Sequence, residues 1–273
     1  MPEGDTIFRT AAALRTALAG EPLVRFETPR RRYAPFEDGV RVRSVEARGK
    51  HLLIAFDDGR VLHTHMQMSG SWHVYPTGGR WRRPAHQVRA VVEVPDAQAV
   101  CFQAPVVELL RERDLSRHPW LAALGPDLCS PVVDLDEVLA RLGRLPAETE
   151  IGVALLDQRV ASGIGNVYRC ETLFACGVDP FARVGDLGPD VRRELYATAS
   201  ELLRRNLDGG PRSTTPGGLA VYRKSGRRCR RCGTPIRSRR QGEAARIVYW
   251  CPSCQAGSSA GTGAGPPPDS MPA

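Results

Sequence analysis

Three aliphatic amines and one carboxylate are the groups with which this chain could do covalent chemistry. Of its 38 basic residues 36 are Arg, and only Lys50 and Lys224 are Lys. The third amine belongs to Pro2, in the opening Met1-Pro2-Glu3-Gly4-Asp5-Thr6, once the methionine is trimmed. An α-amine titrates near ~8, so a useful fraction is a free nucleophile near neutral pH, whereas an unperturbed Lys, near ~10.4, is almost all protonated. Glu3 can move protons beside that amine. Amine plus carboxylate suits Schiff-base formation on a sugar aldehyde or its equivalent. The plain alternative is a solvated terminus. Arg cannot stand in for a compact ammonium or a transferable proton, so each surviving Lys is a candidate for a specific task. Lys50 lies in Arg48-Gly49-Lys50-His51, where Gly49 permits close backbone approach, and Lys224 leads towards a cysteine cluster.

That cluster is Cys229-x2-Cys232, 18 residues, then Cys251-x2-Cys254. Two thiolate claws of this spacing make a closed tetrahedral zinc site, which is structural because no coordination position stays open. Arg237, Arg239, Arg240 and Arg246 lie between the claws, and arginines on a metal-held hairpin suit phosphate contact. Gly163-Ile164-Gly165-Asn166 reads as a tight turn opening a helix. Its backbone N–H groups could meet a phosphate, with Asn166 as helix cap and donor; a plain helix–helix turn is the alternative. In His63-Thr64-His65-Met66-Gln67-Met68, His65 is a phosphate donor or a core histidine. His63 and His65 face one way, but a metal reading lacks a third ligand nearby. Met68 is either a wedge between bases or ordinary packing, and pattern alone favours packing. Cys101, Cys129, Cys170 and Cys176 read as reduced, partly buried thiols.

These residues need elements to hold them. A helix is expected over 6–18, capped by Asp5 or Thr6 and ended by Gly20, with Ile7, Ala11, Leu14 and Leu18 inward. Short strands are expected over 40–48, 51–56, 60–65, 71–75, 88–94, 99–103 and 106–110, with Asp58-Gly59 as a hairpin turn. So many short strands suggest a sandwich or barrel. Beyond residue 119 the pattern is helical, over 136–142, 150–157, 166–176 and 189–206, and residues 209–218 form a Gly-, Ser-, Thr- and Pro-rich loop. The tail beyond about 255 reads as disordered.

Length and balance fit this division. A chain of 273 residues, 42% hydrophobic, can bury its core without staples, and a net charge of +8 suggests a polyanionic partner. No apolar run approaches the ~18 residues of a membrane span. The Ala-rich stretch after Thr10 is no signal peptide, with Glu3 and Asp5 ahead of it and Arg15 within. The cysteine usage points to a reducing compartment, the cytoplasm.

Four stretches, in order, carry a resemblance: MPEG at the start, ARGKHLL around Lys50, LLDQRVASGIGN ending at Asn166, and ARIVYWCPSC ending at Cys254. Together they resemble the family of formamidopyrimidine-DNA glycosylase and endonuclease VIII, over residues 1 to about 255. The resemblance implies an α+β multidomain chain. An N-terminal β-sandwich with a leading helix spans 1–118, a helix-two-turn-helix domain 119–223 and a zinc hairpin 224–255, with a tail over 256–273. It implies DNA in the cleft between the halves, a monomer with no membrane, and a place at the nucleoid. Carried over residue by residue, the nucleophile falls on Pro2, the proton-shuttling glutamate on Glu3 and the motif lysine on Lys50. Phosphate binding falls on His65, Asn166 and Arg246, void filling on Met68, and structural zinc on Cys229, Cys232, Cys251 and Cys254. The MPEG opening fits the endonuclease VIII branch, which implies oxidised pyrimidines. A glutamate common at the sixth position is Thr6 here, which bears on lesion preference. The activity implied is that of a bifunctional DNA glycosylase and abasic-site lyase of base excision repair. Two other classes fit parts of the pattern: a non-catalytic binder of damaged DNA and a zinc-ribbon RNA-binding protein.

Overall fold

The structure is a computed structural model that describes residues 2–29 and 33–256; the expected disordered tail lies almost wholly outside the described residues. Helix α1, Gly4–Leu18, leads. It buries Ile7, Ala11, Leu14 and Leu18, the four positions its spacing marks as inward. It starts earlier than expected, and neither Asp5 nor Thr6 caps it: Glu3 holds the cap position, and Asp5 lies in the first turn.

Two four-stranded antiparallel sheets follow. One runs in the order β2 (Val42–Arg48), β3 (His51–Phe56), β4 (Arg60–His65) and β8 (Val106–Arg111). The other runs β1 (Arg25–Glu27), β6 (Val88–Glu93), β7 (Ala97–Phe102) and β5 (Ser71–Pro76). The three-residue β1 escapes pattern reading, being too short to alternate. Leu52, Ile54, Phe56 and Leu62 from the first sheet meet Ala90, Val92, Ala99 and Cys101 from the second, with α1 closing the same core. Strand β3 is buried along its whole length, because its other face is covered too. There Leu53, Ala55 and Val61 pack against Leu121 in the segment leading out of the sandwich.

A second core belongs to α2 (Leu135–Leu142), α3 (Ile151–Ala154), α4 (Asn166–Ala175) and α5 (Pro189–Arg204). Helix α3 is only four residues long, where a helix over 150–157 is expected. Beyond Ala154 the chain tightens into turns, Leu156 N–H to the Val153 carbonyl and Asp157 N–H to that of Ala154. The Asp157 carboxylate then accepts the Arg159 backbone N–H, 2.9 Å, and the helix cannot continue. The third core joins the hairpin β9 (Arg237–Gln241) and β10 (Arg246–Trp250) to α4 through Val248, Cys170 and Phe174. Helix α4 thus serves two cores, which is why eight consecutive residues from Val167 to Phe174 are all buried.

Candidate functional site at the meeting of two helix N-termini

The start of the chain is pinned between the halves. The Glu3 side chain is wholly buried. Its carboxylate accepts the backbone N–H of Gly165 (3.0 Å), Val167 (2.9 Å) and Tyr168 (3.3 Å). The last two are first-turn donors of α4, which its own N-cap residue, Gly165, leaves without a side-chain partner. A carboxylate there satisfies orphan donors and meets the positive end of the helix dipole. The Gly4 N–H donates to the Gly163 carbonyl, 2.9 Å. Glycine is required on both sides of this contact. A Cβ on Gly165 would lie 2.3 Å from Glu3 Cδ, and one on Gly4 2.8 Å from Cys129 Sγ. The anion received by the Gly163–Gly165 turn in this state is therefore Glu3, where the sequence pattern suggests a phosphate. Pro2 stays half-buried beside it.

Asn166 is the first residue of α4 and not its cap. Its side-chain amide donates to the Ile247 carbonyl, 2.8 Å, while its oxygen accepts from buried Arg169. It ties α4 to the hairpin and retains a second N–H to offer.

Lys50 approaches the same turn from the sandwich. Its ammonium donates to the Ile164 carbonyl. The preceding Gly49 has φ +56°, gives its N–H to the Asp127 carboxylate at 2.7 Å, and could not carry a Cβ without meeting Ser162 Cβ at 2.7 Å. Burial lowers the Lys50 pKa to about 8; Glu3 pulls it up and Arg246 pushes it further down. A deep depression is the condition under which Lys50 could rival Pro2 as nucleophile, and the fold supplies a good part of it.

Lys50, His65, Gln158, Arg159, Arg169 and Arg246 line one cleft of about 770 Å³ between the sandwich and the hairpin. Burial, then Lys50 and His63, lower His65 to about 4. Its Nδ1 accepts the Gln67 N–H at 3.3 Å, so the neutral ring carries its proton on Nε2 as a donor. Arg246 is exposed at the start of β10. Met68 is 68% exposed whereas Met66 is 3% exposed. The packing reading of Met68 is overturned, since it is Met66 that fills the core.

The four clustered cysteines converge. All their sulfurs lie within 4.8 Å of one another, with Cys229–Cys254 at 3.9 Å and Cys232–Cys251 at 3.4 Å. Zn–S bonds of ~2.3 Å at tetrahedral angles would separate sulfurs by ~3.8 Å. The Arg231 and Cys254 N–H groups point at Cys229 and Cys251 sulfurs, 3.4 and 3.5 Å away, as donors stabilising thiolates do. The donor set fits a metal ion.

Pattern reading missed two buried anchors. The wholly buried Asp5 grips Arg212 through two oxygens, at 2.6 and 2.9 Å, and Arg9 donates to the Gly210 carbonyl. This docks the 209–218 loop on α1. Glu171, in α4, accepts N–H groups of Ala220, Val221 and Tyr222 at 2.6–2.9 Å and the Thr214 hydroxyl. A carboxylate within the buried run of α4, beside Arg169, is the one available signal, and it names no partner.

Family models match most of the chain. The formamidopyrimidine-DNA glycosylase N-terminal domain matches residues 1–105, and the H2TH domain of that glycosylase matches 124–216. The chain is 42% identical over 264 residues to a probable endonuclease 8 2 of Streptomyces coelicolor, covering 94% of this chain and 95% of that protein. It is 39% identical to the DNA-(apurinic or apyrimidinic site) lyase Nei2 of Mycolicibacterium smegmatis, covering 94% and 100%. It is 32% identical to an endonuclease 8 of Escherichia coli, covering 93% and 100%. Among solved structures, a Lactococcus lactis Fpg complex with abasic-site DNA superposes at a TM-score of 0.77 with 22% identity, over 93% of this chain and 99% of that one. With the sandwich, the two-turn helical half and the cysteine hairpin in place, the chain belongs to the formamidopyrimidine-DNA glycosylase and endonuclease VIII family.

Proposed function

We propose that the chain is a bifunctional DNA glycosylase and abasic-site lyase of base excision repair, with Pro2 as nucleophile. The supporting observation is the burial of Glu3 under α4, which anchors the residue after Pro2 on Gly165 and Val167, next to the Ile164 carbonyl that Lys50 contacts. The lesion nucleotide is turned out of the stack because C1′ is inaccessible inside the duplex. The Pro2 nitrogen attacks C1′, the C1′–base bond breaks, and the base leaves with a proton. Opening of the sugar at O4′ gives an iminium, which acidifies C2′–H. Loss of that proton expels the 3′-phosphate, and a second elimination can expel the 5′-phosphate. Hydrolysis then frees Pro2. Glu3, which accepts three N–H groups and so retains one lone-pair position, is the proton carrier.

Lys50, His65, Asn166 and Arg246 hold the backbone phosphates, and Met68 fills the gap left by the flipped nucleotide. Damaged duplex DNA is the partner, and oxidised pyrimidines are the substrate class, which the likeness to proteins named endonuclease 8 supports. Cys229, Cys232, Cys251 and Cys254 hold structural zinc, which supplies rigidity and no chemistry. The working division is sandwich 1–118, helical domain 119–223, hairpin 224–255, in a cytoplasmic monomer acting at the nucleoid; among the described residues no helix is long and apolar enough to cross a membrane.

Borohydride tests the assignment. Reduction during reaction with lesion duplex should trap the protein on DNA through the peptide that starts at Pro2. A tag or retained methionine on that nitrogen should abolish trapping while duplex binding persists. An adduct on Lys50 or Lys224 refutes the Pro2 mechanism. Retained binding with no adduct on any residue favours a non-catalytic damage binder.

A further inference from the structure

Next to His65 of the cleft, whose ring lies 4.7 Å from that of His51, the outer face of the first sheet carries a row of polar side chains unusual for a buried surface. His51 Nδ1 lies 2.8 Å from His63 Nε2. His63 Nδ1 lies 3.3 Å from Glu108 Oε2, and His118 Nε2 lies 3.1 Å from the same oxygen. His63 and Glu108 are directly paired across β4 and β8. His118 comes from the segment leading out of the sandwich, just after a 3-10 turn at Glu112–Arg117.

We propose that His63 Nδ1, Glu108 Oε2 and His118 Nε2 form a second metal site, for a zinc-like divalent ion, with solvent in the fourth position. Three observations carry it. The donor atoms lie within 4.8 Å of one another, and the two N···O distances match the ~3.3 Å edge of a tetrahedron with bonds of ~2.0–2.1 Å. Two imidazoles and a carboxylate suit zinc and its neighbours, not magnesium or calcium. The remaining nitrogen of His63 already has a partner in His51, the outer hydrogen bond that orients metal-bound histidines. The site is also reachable. The His63 side chain is wholly buried, but those of His118 and Glu108 are 12% and 24% exposed, leaving an open side for the ion and its solvent ligand.

The proton inventory balances without release of a proton. Metal on His63 Nδ1 puts that ring's hydrogen on Nε2, donating to His51 Nδ1, and all three imidazoles stay neutral. His118 must move its hydrogen from Nε2 to Nδ1, giving up a long 3.4 Å contact from the Leu121 N–H. Among the described residues, that contact is the hydrogen bond the ion displaces besides those it replaces. Occupied, the site would fasten the exit segment, and with it Leu121, to the middle of the sheet.

The test uses the full chain, first loaded with zinc at the four cysteines. Dialysis against rising free Zn2+, with metal and protein counted by mass spectrometry, should give two ions per chain. Glu108→Ala and His118→Ala should each give one, with their affinity for the second ion reduced beyond the ~10–100-fold typical of outer-shell changes. One ion in the unaltered chain at saturation, or two in both variants, overturns the proposal. Trp120, whose ring lies 5.9 Å from that of His118, gives a readout that needs no ligand substitution. Co2+ added to the zinc-loaded chain should quench its emission saturably, Zn2+ should reverse this, and Trp120→Phe should lose the response. Absence of saturable quenching that depends on Trp120 counts equally against the site.

Discussion

At the scale of single residues, Lys50 and Met68 are where burial decides the chemistry. Lys50 sits with its pKa lowered to about 8, chiefly by burial. A phosphate is held by the ammonium form, and an arriving phosphate raises that pKa again. Binding of duplex should therefore take up a proton above pH ~8. Affinity should be flat below that value and fall as pH rises through it, with a slope approaching one log unit per pH unit, or ~1.4 kcal/mol. Fluorescence titration across this range checks it, and Lys50→Met should flatten the curve while weakening binding at every pH. Met68 belongs to the opposite case, an apolar side chain left in solvent. Filling a vacated base position offsets part of an unstacking cost of a few kcal/mol. Met68→Ala should slow base excision about tenfold, ~1.4 kcal/mol in the barrier, and leave strand cutting at a ready-made abasic site nearly unchanged. Its thermal unfolding should not shift, since no core contact is lost; a fall of several degrees would return Met68 to a packing role.

At the scale of elements, the decisive contact is α4's first turn closing on Glu3. It was only half legible in the chain. The Gly163-Ile164-Gly165-Asn166 stretch announces a helix N-terminus that wants an anion, because glycines clear the approach and the N–H groups are orphaned. Which anion arrives depends on a residue more than 160 positions away, and no local pattern carries that. The strands were legible for the opposite reason: each alternates or runs apolar over six or seven residues and is ended by turn residues. The three-residue β1 and the tightened turns after α3 were not, since both are set by tertiary partners and by side-chain–backbone bonds of Asp157. The Asp5–Arg212 grip lay equally out of view, Asp5 reading as a helix cap and Arg212 as one arginine of a loop. Gly165 tests the central contact. Its added Cβ would sit 2.3 Å from Glu3 Cδ, so Gly165→Ala must push Glu3 off the helix or shift α4. Overpacking of this kind costs ~1–3 kcal/mol. Borohydride trapping should fall more steeply than DNA binding, because the displaced group carries Pro2 with it.

At the scale of the whole molecule, two cores are coupled through one helix. Tyr168 and Leu173 of α4 lie in the helical core, while Cys170 and Phe174 lie in the hairpin core. Arg169 donates to Gln241 Oε1 at 3.2 Å, and Gln241 Nε2 donates to the Glu150 carboxylate at 2.9 Å, fastening β9 to the start of α3. The sandwich touches α4 differently, through Glu3 and the Lys50 turn, and its own core shares no side chain with the hairpin. Loss of the hairpin should therefore travel to the helical half and stop short of the sandwich. Metal binding at four thiolates is folding free energy for a module this small, ~10–16 kcal/mol in isolated zinc-binding peptides. Changing Cys251 to Ser removes one of the four clustered thiols, with a sulfur that also accepts the Cys254 N–H. The variant should carry no more than weakly held zinc, unfold its helical half at lower temperature, and lose binding to every duplex by a similar factor as Arg246 leaves the cleft. Hydrogen exchange resolves the three parts. Amides of β9, β10 and α4 should lose protection, whereas those of β3 and β4, within the buried sheet, should keep theirs. Uniform loss of protection across both sheets would mean that the sandwich depends on the hairpin after all, through the Glu3 contact rather than through its core.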